Sequence, residues 1–303
     1  MHFNEQKPLD IVLNDLFEHY RSHVADVSTI TEALLRKGVI QSQADIVNDH
    51  IAFRTLGVPH LGISSFEKIF RAFGYTKRDY YYFEGKKLNA YWYAPPSSVY
   101  PRIFVSELIV PALGEESQRI IRKYTEKIVT DPVEQLDLTN GQEVAEFLQK
   151  PLWDLPTSLE YKTLLQESEY AAWVIYNRYY LNHYTISIHE LPDGYNTLEE
   201  FNAFLEGIGI QLNTAGGKIK TSDDGLLRQS STVSALYDAL FADGQLLPIA
   251  GSYVEFAERS PLPAFRNIPR NLLKPEHRRD GFETNNADKI FESTYTTQIK
   301  KER

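Results

Sequence analysis

The 303-residue chain contains no cysteine and a single methionine. The first absence removes disulfides, thiolate metal sites and cysteine nucleophiles together, so any metal must be held by His, Asp or Glu. Long apolar runs are also missing. The longest, near residues 108–113 and 171–176, fall far short of the ~20 residues that span a bilayer, and no membrane association is expected. Positive charge is in deficit, with 32 Lys+Arg against 41 Asp+Glu and a net charge of −9. Such a field repels the phosphate polyanion, so a nucleic-acid partner is not expected. Residues 1–10 carry no basic run followed by an apolar stretch; no signal peptide is expected, and the expected location is the cytoplasm. No Gly-x-Ser-x-Gly elbow occurs, which leaves a serine hydrolase without support.

What is present is ample core material, 42% hydrophobic and 13% aromatic, enough for one large domain or two. Leu9, Val12, Leu13, Leu16, Phe17 and Tyr20 recur at helical spacing, as do Ile30, Leu34 and Leu35 before a stop at Gly38. From residue 49 the grammar becomes β-α-β-β-β: DHIAFRTL, the amphipathic ISSFEKIFRAFG, then three β-rich runs ending in PRIFVSELIVP. Residues 114–180 read as helical, broken by Pro132, Pro151 and Pro156. The β-α-β-β-β order then returns through LNHYTISIHEL, the helix NTLEEFNAFLEGIG capped by Asn196 or Thr197, and the runs GGKIKTS, GLLRQSSTVSAL and GSYVEFAER. His50 precedes Gly74 by the same 24 residues that separate His183 from Gly207. The expected fold is α+β: tandem βαβββ modules forming one curved sheet or barrel. The expected division is N-terminal helices over 1–48, a first module over 49–113, a helical insert over 114–180, and a second module with a C-terminal helix over 181–303.

Strand alternation places His50, Ala52 and Arg54 on one face and the apolar Ile51 and Phe53 on the other. Buried arginine is rare without an anion. In the second copy His183, Thr185, Ser187 and His189 share a face, and on the last strand Tyr253, Glu255, Ala257 and Arg259 do. Taken singly, each His reads as a structural histidine and Glu255 as a salt-bridged residue, with Arg259 a possible partner. Two histidines at one place in a repeat, with a carboxylate on the closing strand, instead match the facial 2-His-1-carboxylate arrangement: a site of His50, His183 and Glu255. His189 sits about 20 Å beyond His183 along an extended strand at ~3.3 Å per residue, so both cannot bind one ion. His2, His19, His23, His60 and His277 read as solvated. The Gly-Gly-Lys at 216–218 reads as a β-turn, Asp-Asp-Gly at 223–225 as a hairpin turn, and the aromatics Tyr80–Phe83 and Tyr91–Tyr93 as wall and core of the first module.

On these residues the chain resembles the vicinal oxygen chelate superfamily. Within it, DHIAFRT at 49–55, GGKIKTSDDGLLRQSST at 216–232 and GSYVEFAER at 251–259 together resemble the 2-oxoadipate dioxygenase/decarboxylase family. The stretch DGLLRQSST, YVEFAER and GFETNNADKIFEST is also similar to 4-hydroxyphenylpyruvate dioxygenase. The resemblance implies that His50, His183 and Glu255 hold Fe(II) and that Arg54 binds a substrate carboxylate. It places Gln229 at a substrate-facing glutamine, although Arg228 stands where those enzymes have an apolar residue, and Ser231, Tyr253 and Lys218 along the cavity. The implied reaction takes a 2-oxo acid and O2, converting 2-oxoadipate to 2-hydroxyglutarate and CO2. Familiar members are longer, with added C-terminal sequence that contributes to substrate selection. Two alternatives remain open at this level: a non-redox metal-dependent isomerase or lyase of the same superfamily, whose sites usually show four protein ligands, and a small-molecule binding module without metal.

Overall fold

The computed structural model describes residues 3–300, so His2 lies outside the described residues. Two helices, α1 (Pro8–His23) and α2 (Ala25–Arg36), lead into β1 (Asn48–Leu56), α3 (Ile63–Ala72), β2 (Thr76–Phe83), β3 (Leu88–Ala94) and β4 (Arg102–Leu108). Four helices follow: α4 (Glu115–Thr125), α5 (Gly141–Gln149), α6 (Ser158–Glu167) and α7 (Glu169–Asn177). The second series is β5 (His183–Ser187), α8 (Leu198–Gly207), β6 (Lys220–Thr221), β7 (Leu227–Ser231), β8 (Leu236–Leu240), β9 (Leu246–Ala250) and β10 (Tyr253–Arg259). Helices α9 (Thr284–Phe291) and α10 (Thr296–Ile299) close the described chain.

Eight strands form one sheet in the order β2-β3-β4-β1-β5-β10-β7-β6. The order is its own mirror about the β1–β5 seam. In each half the first strand pairs in parallel with the last, β1 with β4 and β5 with β10, and the two middle strands continue antiparallel to the edge. This is the tandem βαβββ arrangement of a vicinal oxygen chelate fold. The halves join antiparallel, Ala52 opposite His183 and Ile51 opposite Tyr184.

Alternation decides which residues face the concave side. Phe53 turns outward against α3, with ring centroids 4.7 Å from Phe66 and 5.7 Å from Phe70. On β5, Tyr184 turns outward against Phe17 of α1, and on β10 Phe256 packs on Phe201 of α8. The polar residues of the same strands therefore point inward. Helix α7 of the insert is buried along nearly its whole length, and its Tyr170 hydroxyl reaches Ser106 of β4 at 2.8 Å. The open side of the sheet is filled by α9, whose Phe291 packs edge-on against Phe83 of β2 and whose Asn286 bonds Gln229 of β7.

Three sequence expectations change. The 24-residue match does not mark equivalent glycines. Gly74 and Gly209, at φ +88° and +85°, follow α3 and α8 in the same turn, because α8 begins fifteen residues after His183 and α3 thirteen after His50. The run GLLRQSSTVSAL is not one strand: β7 stops at Ser231, and β8–β9 form a separate hairpin around Gly244. Strand β5 ends at Ser187, so His189 lies in a short 3-10 turn and off the His183 face. The helix cap is Thr197, whose side chain accepts from the Glu200 amide.

Phe53 is fully buried between the sheet and α3. Phe53→Ala should cost about 3–5 kcal/mol by emptying this packing, read as the midpoint shift in equilibrium urea unfolding. A cost under about 1 kcal/mol would contradict the packing described.

Candidate metal centre

The concave face brings together His50 from β1, His183 from β5 and Glu255 from β10, all buried. His50 Nε2 lies 3.4 Å from His183 Nε2 and 3.5 Å from Glu255 Oε1, and His183 Nε2 lies 3.1 Å from Glu255 Oε2. The other ring nitrogens are held from behind. His50 Nδ1 is 2.8 Å from Asp49 Oδ1, and His183 Nδ1 is 3.1 Å from Asn182 Oδ1. Those oxygens only accept, so each Nδ1 carries the proton and each Nε2 presents a lone pair inward. The Thr185 hydroxyl lies 3.0 Å from His50 Nε2. With both Nε2 atoms deprotonated, three electron-pair donors converge, an arrangement that suits a divalent cation. The group could hold a metal ion.

The charges fit that use. Burial pushes the Glu255 carboxyl up, but the two imidazoles outweigh it and hold the group well below the usual carboxylate range. Burial depresses His50, yet Glu255 and Asp49 raise it above the ordinary value, whereas at His183 burial prevails and the value falls. Behind His50, Asp49 takes a two-point ion pair from Arg259, at 2.6 Å and 2.8 Å. Arg259 therefore does not pair with Glu255. Burial would raise Asp49, and Arg259 and Arg102 reverse that, so it stays ionised.

Arg54 shares the concave face and is buried, with no carboxylate within ion-pair distance among the described residues. Its guanidinium donates to Thr294 Oγ1 at 2.9 Å and the Phe291 carbonyl at 3.1 Å, leaves Nε without a partner, and lies over the rings of Tyr170 and Trp173. Gln229 donates to Glu255 Oε1 at 2.6 Å. Tyr253 lines the compartment with a buried hydroxyl that has no partner. Ser231 is buried beside Glu255 in the ladder, but its hydroxyl is shared with Ser293 at 2.8 Å. Lys218 does not reach the cavity; it pairs with Glu206 at the surface. The compartment itself holds about 20 Å³, walled by Phe104, Phe282, Ile290 and Phe291 besides the polar residues. Asp49 and Asn182 escaped the sequence reading, although each immediately precedes a candidate ligand; Lys220, buried on β6, left no signal.

Fold and donors together define a vicinal oxygen chelate protein with a buried three-donor group that could hold a metal ion. The family model for 2-oxoadipate dioxygenase/decarboxylase matches residues 12–275. The chain is 45% identical over 267 residues to the chloroplastic 2-oxoadipate dioxygenase/decarboxylase of Arabidopsis thaliana, covering 84% of this chain and 69% of that one. It is 46% identical over 266 residues to the chloroplastic/amyloplastic enzyme of Oryza sativa subsp. japonica, covering 84% and 71%. Among solved structures it is similar to the hydroxyglutarate synthase of Oryza sativa in complex with 2-oxoadipate, with a TM-score of 0.86, 40% identity, and coverage of 95% of this chain and 92% of that one. The chain belongs to the 2-oxoadipate dioxygenase/decarboxylase family. One expectation is corrected here: the curated relatives are named for the chloroplast and amyloplast, against the cytoplasm expected from residues 1–10. The expectation that family members are longer agrees with the match covering 69% and 71% of those two relatives.

Removing Asp49 strands a buried guanidinium and frees the His50 ring. Asp49→Ala should cost about 3–5 kcal/mol in urea unfolding and weaken metal binding about 10–100-fold in a metal titration. Unchanged affinity would show that Asp49 does not position His50.

Proposed function

We propose that the chain is an Fe(II)-dependent dioxygenase that converts 2-oxoadipate and O2 to 2-hydroxyglutarate and CO2. The observation that carries the reading is the convergence of His50 Nε2, His183 Nε2 and Glu255 in a small buried compartment, in a chain 45% identical to an enzyme named for that activity. The stoichiometry closes: the substrate's own 1-carboxylate leaves as CO2, one oxygen of O2 enters the carboxylate formed at the former keto carbon, and the other becomes the new hydroxyl. When bound by these donors, ferrous iron supplies the open positions and the electrons through which a chelating 2-oxo acid reacts with O2. Two neutral imidazoles and one carboxylate leave a divalent ion with net charge near +1, which favours an anionic chelator.

The chain's own residues do the rest. Arg54 has given up water without gaining a carboxylate, a cost that an incoming substrate carboxylate offsets through paired hydrogen bonds to one planar group. The rings of Tyr170 and Trp173 limit how that plane can tilt. Gln229, by donating to Glu255 Oε1, helps fix the plane of that carboxylate. The apolar walls contributed by Phe104, Phe282 and Phe291 exclude water from a reactive centre.

One register relation argues against the four-ligand isomerase or lyase. Glu255 faces Thr185, two residues after His183; the matching position in the first module faces Ala52, two residues after His50, and is Phe104. The pseudo-symmetric fourth ligand is a phenyl ring.

With Fe(II) and 2-oxoadipate, oxygen-electrode traces should show uptake matched one to one by 2-hydroxyglutarate. His50→Ala and Glu255→Ala should lose metal and activity together, while Arg54→Met should raise KM about 10–100-fold, the worth of hydrogen bonds to a charged group. No oxygen uptake across a panel of 2-oxo acids would overturn the proposal.

A further inference from the structure

A cavity of about 590 Å³ opens at the end of the sheet where β1 and β4 begin and β5 and β10 finish. It is remote from Arg54, which follows Asp49 on β1 at a distance of about 16 Å, five steps of an extended strand at ~3.3 Å each. Arg102 of β4, Arg259 of β10 and Arg278 of the segment after β10 line it. In a chain of net charge −9, three guanidiniums around one cavity are a local reversal of sign.

The carboxylates nearby do not cancel that charge inside the cavity. Asp49 is buried, but Arg259 takes it through two hydrogen bonds, at 2.6 Å and 2.8 Å. Asp280, which pairs with Arg102 at 2.6 Å, is 59% exposed, and Glu190, 3.7 Å from Arg278, is 43% exposed, so water screens both. Glu276 is exposed as well. Arg278 is itself buried, and its Nη1 donates to the Arg259 carbonyl at 2.8 Å. The separation from Glu190 is too long for a hydrogen bond, which leaves Nε and Nη2 without an acceptor among the described residues.

The titrating groups register the same field. Burial outweighs Glu190 and pulls the Arg278 guanidinium below its ordinary value. Burial, and after it the charge of Arg278, bring the His189 imidazole down to about 3 against the pull of Asp49, so the ring is neutral. His189 Nδ1 accepts from the Arg259 amide at 3.2 Å, which leaves the ring hydrogen on Nε2. A neutral donor thus stands beside the guanidinium. Val47, Leu262, Leu273 and Pro275 give the cavity an apolar side.

We propose that this cavity is a second binding site, for a small organic monocarboxylate. Arg278, with Arg102 and His189 beside it, receives the carboxylate, and the apolar side covers a short hydrocarbon chain. The Asp49–Arg259 pair stands between the cavity and His50, so a ligand here is separate from any molecule at the three donors. The assignment stands on the cavity and does not depend on the reaction proposed above.

Calorimetry on the protein as purified compares hexanoate with 1-hexanol, which has the chain without the charge, and with inorganic phosphate, which has the charge without the chain. Hexanoate should bind at least about 10-fold more tightly than either, the worth of one charge-assisted hydrogen bond. Arg278→Gln should weaken hexanoate about 10-fold, and Arg54→Met should bind it as the wild type does. Arginine-selective labelling of the wild-type protein with phenylglyoxal, read by mass spectrometry, should be slowed at Arg278 by hexanoate and not by 1-hexanol, a measurement that needs no variant to fold. Hexanoate binding that survives Arg278→Gln or is lost in Arg54→Met would overturn the assignment. So would equal binding of 1-hexanol or phosphate, or labelling at Arg278 indifferent to hexanoate.

Discussion

Everything in the site depends on the antiparallel seam between β1 and β5. Each module alone carries one histidine on its first strand, and neither can assemble a three-donor group. Pairing Ala52 with His183 across the seam sets the two imidazoles side by side, and the parallel neighbour β10 then delivers Glu255 from the second module only. A one-residue slip at this seam would turn one histidine to the convex face, because the side-chain period of a strand is two. The outward rings guard against that slip: Phe53 is locked into α3, and Tyr184 into α1. Burying these aromatics on the convex side is what keeps the polar residues on the concave side.

Electrostatics on the concave side are arranged in layers. Nearest the centre, the two imidazoles and Glu255 face one another at 3.1–3.5 Å, and each imidazole favours the ionised carboxylate. Behind them, Asp49 and Asn182 hold the ring protons outward, and the Arg259 pair anchors Asp49. Flanking them are Arg54 and Lys220, two buried cations without carboxylates. Positive charge left uncompensated beside a site is costly in a free protein and useful to one whose ligand is an anion. The acidic chain as a whole repels polyanions, whereas this local excess of positive charge lies in a low-dielectric pocket, where its attraction for a small anion is least screened.

Much of this was legible from residue patterns. The period of two around DHIAFRT and HYTIS separated an aromatic face from a polar one, and the repeat made the histidines equivalent. The parts that were not legible have identifiable causes. Asp49 and Arg259 are 210 residues apart, and no local period links them. The β8–β9 hairpin was hidden because Leu236, Leu240 and Leu246 are exposed, so its apolar residues do not mark a core strand. Gly207 looked equivalent to Gly74 because both stand near a helix end, but only a positive φ identifies the turn, and that belongs to Gly209. Lys220 was missed, and Lys218 suggested in its place, because burial of a lysine depends on which side of a two-residue edge strand it falls.

In the inner compartment, about 20 Å³ is room for about one water, and a six-carbon diacid does not fit beside the donors while Ala287, Ile290 and Phe291 of α9 occupy the concave side. A larger space, about 580 Å³, lies on the other face of the same helix, joined to the inner one through Asn286 and Gln229. Helix α9 is part of the core: Ile290 and Phe291 are buried, and Phe291 packs on Phe83, Phe104 and Tyr170. The two bonds of Gln229 use different atoms: its side-chain oxygen accepts from Asn286 while its amide nitrogen donates to Glu255, so a single side chain links the partition between the cavities to a candidate metal ligand.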